Sequence, residues 1–95
     1  MKELENIRRE IDSIDDKLVK LYVERLEKIK EVAKIKEITN TAVVDEQRES
    51  DILYRLTKNH SDDIKKYIEQ LYSTIFSLSK AYQRSFLIKK SNKEE

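Results

Sequence analysis

Arg25 and Lys36 are hard to explain without chemistry. They fall eleven residues apart, close to three full helical turns, so on a helix they point the same way. The positions before them repeat apolar side chains at three- and four-residue steps: Leu4, Ile7, Ile11, Ile14, Leu18 and Leu21. Continuing the steps gives Arg25, Ile29, Val32 and Lys36, which puts two cations on a face that should be buried. A buried, unpaired cation costs on the order of several kcal/mol, comparable with the net stability of a small domain. No acidic residue occupies the same stripe between them. The pair therefore reads as an anion-binding element, with a ligand as the anion.

Three other groups of polar residues sit beside apolar positions. Arg8 flanks the stripe between Leu4 and Ile11. It lies roughly 42 Å from Lys36 along a helix axis, too far to join the same site within one chain. It could reach that site from a second chain, or simply cover a dimer seam with its stem. Asp45-Glu46-Gln47-Arg48-Glu49 opens a second helix, with Arg48 and Glu49 beside its apolar face. Taken alone, that run is a solvated, salt-bridged first turn. Tyr72, Phe76, Ser79 and Gln83 follow at four, three and four residues. Ser79 and Gln83 are uncharged hydrogen-bonding groups one turn apart, on what could equally be a neutral shoulder of a bundle. Tyr67, Tyr72 and Tyr82 read as core or interface aromatics.

Three helices must position these residues. The first spans about Lys2 to Ile38 by periodicity, and Thr39 to Val44 interrupts it. Asp45 is a good N-cap for a helix running to about Asn59, with Leu53 and Leu56 facing the core. Ser61 caps a third helix, and Asp62 and Asp63 favour its positive end. Its stripe reads Ile64, Ile68, Leu71, Ile75, Leu78 and Tyr82. It continues to about Lys90, so residues 1–90 form one domain and 91–95 a polar tail. The fold class is all-α. The first helix, about 37 residues, is roughly 55 Å long. A compact chain of this size has a diameter of only about 30 Å. Its apolar stripe runs the full length, so the overhang needs another surface, most simply a homodimer's.

Composition narrows the function classes. With 95 residues there is room for one small domain, and 27 of them are Leu, Ile, Val or Phe, enough for a core. Charged residues reach 41%, yet the net charge is +1, which disfavours nucleic acid as the main partner. Glycine and proline are both absent, which favours long helices over turn-rich sheets. Without cysteine and with a single histidine, His60, no thiol nucleophile, metal cluster or His-based triad is expected. No apolar run approaches the ~20 residues that span a bilayer, so a soluble, cytoplasmic protein is expected.

Together the motifs resemble the all-helical (AroQ-class) chorismate mutases over essentially the whole chain. The resemblance is carried by Ile7-Arg8-Arg9-Glu10-Ile11-Asp12-Ser13-Ile14-Asp15 and by Glu24-Arg25 followed by Val32-Ala33-Lys34-Ile35-Lys36. It continues through Asp45-Glu46-Gln47-Arg48-Glu49 and Ser79-Lys80-Ala81-Tyr82-Gln83. The spacings agree without a gap inside any helix. The resemblance implies an intertwined homodimer of three-helix chains with shared active sites and no cofactor. The implied reaction is the Claisen rearrangement of chorismate to prephenate, in phenylalanine and tyrosine biosynthesis. Such a reaction rests on holding a flexible dianion in a chair-like shape and stabilising charge on its ether oxygen.

By the same resemblance, Arg25 and the partner's Arg8 hold substrate carboxylates, which suits arginine's planar fork. Lys36 contacts a carboxylate and the ether oxygen, and Gln83 donates a second hydrogen bond to that oxygen. Glu49 accepts from the ring hydroxyl, beside the Asp45 backbone. Arg48 and Ser79 complete the polar wall, and Ile29, Val32 and Ile35 line the apolar parts. Thr41-Ala42-Val43-Val44 stands where the family often has proline, which leaves the loop's rigidity open. The alternatives are an isochorismate-pyruvate lyase of the same fold and a non-catalytic helical dimerisation module.

Overall fold

The computed structural model describes the backbone of residues 1–94 and the side chains of residues 1–87. It contains three helices and no strand among the described residues: α1 (Lys2–Ile38), α2 (Glu46–Thr57) and α3 (Asp62–Glu94). The chain is an all-α protein. α1 and α2 each pack against α3. The expected limits of α1 hold at both ends. α3 runs four residues past the expected end near Lys90. The side chains of the expected tail, and Glu95 altogether, lie outside the described residues.

The turn after α1 is built without glycine. Thr39 caps the helix, and Asn40 takes the left-handed conformation at φ 54°. The Asn40 N–H bonds the Glu37 carbonyl at 3.3 Å, and the Thr41 N–H bonds the Lys36 carbonyl at 2.8 Å. That pair of bonds is a Schellman closure, with asparagine in the place usually held by glycine. Thr39 Oγ1 adds a bond to the Ile35 carbonyl at 2.9 Å and shares another with Thr41 Oγ1 at 2.7 Å. This network supplies local order that the absent proline does not. Asn40→Ala is expected to cost about 1 kcal/mol in thermal or denaturant unfolding, and Asn40→Gly less, because only alanine meets the left-handed penalty.

Asp45 caps α2 as expected, its Oδ1 accepting from the Arg48 N–H at 3.0 Å. α2 stops at Thr57, two residues short of expectation. Thr57 Oγ1 donates back to the Leu53 carbonyl at 2.6 Å, and the Thr57 carbonyl accepts the His60 N–H at 3.0 Å, turning the chain early. At the start of α3 the Ser61 carbonyl accepts from Ile64 and Lys65.

Burial corrects two expectations. In α3 the apolar stripe is not the buried line: Ile64, Leu71 and Leu78 are about half exposed. The neighbouring line is buried instead, with Phe76, Ser79 and Gln83 each at 5–6% exposure. Tyr72 meets Phe76 edge-on at 5.6 Å, while Tyr67 lies outside the core of the chain. In α2 the buried residues are Ile52 and Thr57, with Leu53 and Leu56 half-buried beside them. The physical reason is the shape of the chain. It measures 60 × 28 × 15 Å, with a radius of gyration of 17.5 Å against about 12 Å for a compact chain of this length. Residues 1–20 of α1 are exposed throughout. The chain therefore covers only one flank of each long helix.

Candidate active site

The buried flanks of the three helices meet at one cavity of about 300 Å³, within the range of small-molecule sites. α1 lines it with Arg25, Ile29, Val32 and Lys36, which repeat at four, three and four residues and so share a face. The α1–α2 loop and the first turns of α2 add Val43, Asp45, Arg48, Glu49 and Ile52. α3 contributes Phe76, Ser79, Lys80 and Gln83. The structure thus brings Arg25, Lys36, Asp45 and Arg48 together with Glu49, Ser79 and Gln83. Arg8 is not among them; it lies on the exposed N-terminal part of α1.

Two of the lining cations, Arg25 and Lys36, are each held by a neutral group. Arg25 Nη1 donates to Ser79 Oγ at 2.7 Å, tying α1 to α3. Lys36 Nζ donates to the Val43 carbonyl at 2.8 Å. The turn closed on Lys36's own carbonyl brings that acceptor back to it. Both side chains are therefore oriented without being neutralised, and each keeps further N–H donors for a ligand. Gln83 is 5% exposed, and its Oε1 is enclosed without a hydrogen-bond partner among the described residues. An unpaired buried amide costs about 1–3 kcal/mol, an expense more often found at functional sites than in cores.

Glu49 forms an ion pair with Lys80, Oε2 to Nζ at 3.1 Å. Four cations (Arg25, Lys36, Arg48 and Lys80) face two carboxylates (Asp45 and Glu49), leaving a net charge of +2 in the lining. That charge suits a small dianion. Among the described residues no group of three or more His, Cys, Asp or Glu could hold a metal ion.

Sequence reasoning misplaced one residue of the site and missed others. Ile35 is 61% exposed and does not line the cavity. It follows Lys34 by 100° and precedes Lys36 by the same angle, which turns it off the inward face. Ala33, four residues after Ile29, is the buried residue there. Lys80 has no role in the reading of the motif Ser79-Lys80-Ala81-Tyr82-Gln83, although its place beside Ser79 and its sign opposite Glu49 are the available signal. The Val43 carbonyl had no signal in side-chain pattern, because it is a backbone group placed by a turn.

The fold and cavity define an all-helical protein whose cationic pocket suits a small dianion. Residues 7–84 match the chorismate mutase type II family, and the chain belongs to that family. It is 33% identical over 98 aligned positions to a chorismate mutase from Methanocaldococcus jannaschii, covering 100% of this chain and 98% of that protein. No solved structure matches significantly. Among the described residues no helix is long and apolar enough to cross a membrane.

Proposed function

We infer that the cavity binds chorismate and converts it to prephenate, so that the protein is an isomerase of aromatic amino-acid biosynthesis acting in the cytoplasm. The observation that carries this reading is the convergence of Arg25, Lys36 and Gln83 on one cavity with net positive lining. Arg25, fixed by Ser79, takes one carboxylate with the remaining arms of its fork. Lys36 and Gln83 donate to the ether oxygen, where negative charge grows as its bond breaks. Glu49 accepts from the ring hydroxyl, and Arg48 guards the entrance. Ile29, Val32 and Phe76 press the ring system into its reactive shape.

The functional unit is a homodimer, and the partner's Arg8 completes each cavity. Two observations support this. Leu4, Ile7, Ile11, Ile14, Leu18 and Leu21 present a continuous apolar line at 40–61% exposure, unlike the singly scattered apolar residues of an ordinary surface. Arg8 is also too far along α1 to reach its own chain's cavity.

Incubation with chorismate and, separately, isochorismate tests the assignment. Prephenate from chorismate with no pyruvate from isochorismate is expected. Pyruvate release would make the protein a lyase instead. An amide donates without being protonated, so Gln83 sets no acid requirement. The rate is accordingly expected to stay flat from pH 7 down to pH 5, whereas a steep rise below neutrality would contradict Gln83 as the donor.

A further inference from the structure

We propose that Lys80 is a positioning residue that holds the Glu49 carboxylate away from the anion-binding cations of the cavity. The inference rests on the reading of the cavity as a dianion site and adds a residue to it. Glu49 lines the same space as Arg25, Lys36 and Arg48. Left free there, a carboxylate would be drawn to any of the three, since opposite charges attract strongly where water is limited. Such a pair would cancel a substrate-binding cation and withdraw the acceptor meant for the ring hydroxyl.

The structure avoids that pairing. Among the described residues no ion pair joins Glu49 to Arg25, Lys36 or Arg48. The Glu49 partner is Lys80, Nζ to Oε2 at 3.1 Å, with both side chains 26% exposed. Lys80 lies one residue beyond Ser79, about 100° further round α3, so its ammonium approaches from the flank. Only Oε2 is engaged, and Oε1 stays available to accept. Arg25 and Lys36 meanwhile rest on Ser79 Oγ and the Val43 carbonyl, both uncharged. Arg25 and Lys36 thus have neutral holders, and Glu49 has a cation of its own.

The test compares wild type, Lys80→Met, Glu49→Gln and the double variant, each first shown to be a folded dimer. Lys80→Met keeps the apolar stem and removes the charge. It is expected to raise KM for chorismate about tenfold, with a smaller fall in kcat, and Lys80→Arg to recover wild-type KM within about twofold. The decisive comparison is the second substitution. Glu49→Gln is expected to raise KM in the wild type by removing the ring-hydroxyl acceptor, and to raise it by a clearly smaller factor in the Lys80→Met background, where that acceptor is already withdrawn. Multiplying losses would overturn the proposal and make Lys80 an independent ligand of the substrate. Should the wild type not convert chorismate, titration of the same four proteins with malate reads the cavity directly. Weaker malate binding in Lys80→Met, restored by Glu49→Gln, supports the proposal apart from the reaction, and equal binding in all four overturns it.

Discussion

Lys36→Ala is expected to lower kcat about 100- to 1,000-fold while the protein stays folded and dimeric. The size follows from the role: a donor aimed at an oxygen that gains charge in the transition state typically carries about 3–4 kcal/mol. The preserved fold follows from what Lys36 does without substrate. It is half-buried and bonds the Val43 carbonyl, and among the described residues no carboxylate lies within ion-pair distance of it. Removing it forfeits about 1 kcal/mol of hydrogen bonding and relieves a partly desolvated cation, so the two effects nearly cancel. Steady-state kinetics and a thermal melt on the same sample separate these outcomes. A non-catalytic helical module would show the melt unchanged and no activity to lose. Lys36→Arg is expected to restore little, because the planar guanidinium cannot place one N–H where the compact ammonium sits.

A mixture of two inactive variants is expected to recover activity. Arg8→Ala removes the residue assigned to the partner's cavity, and Arg25→Ala removes one from the chain's own cavity. Each homodimer then has two defective sites. When the two variants are unfolded together and refolded, half of the dimers are mixed. In a mixed dimer one site receives both substitutions and the other none. About a quarter of wild-type activity should return, a figure set by the two-fold symmetry of the proposed dimer. If Arg8 served its own chain, the mixture would show only the average of its parents. The distance argues against that: Arg8 is seventeen residues before Arg25 on one uninterrupted helix, roughly 26 Å away.

The long helix and the direction of Arg25 and Lys36 were legible in the sequence because helical periodicity is strict. Eleven residues return a side chain to the same face whatever surrounds the helix. The cap at Asp45 was legible for a similar reason, since it depends only on neighbouring backbone N–H groups. The α3 core was harder to read. Two lines run side by side on that helix, one apolar and one mixed, and hydrophobicity favours the apolar line. Burial within the protomer fell on Phe76, Ser79 and Gln83. The pattern of residue types alone does not say which of two neighbouring faces the chain itself buries. The turn at Asn40 is legible in the sequence only as a break, because its geometry depends on one positive φ in a chain without glycine. That turn matters to the site, since its closure on the Lys36 carbonyl brings Val43 under the Lys36 ammonium.

The central claim is that Arg25, Lys36 and Gln83 form a site that rearranges chorismate without proton transfer or cofactor. The most direct measurement is the loss of chorismate's ultraviolet absorbance with the purified wild-type dimer, beside Lys36→Ala at equal concentration. Rapid loss in proportion to protein is expected, with prephenate as the product, and a trace near the uncatalysed rate for the variant. A folded wild-type dimer that leaves chorismate unchanged, or two proteins that consume it equally fast, would contradict it.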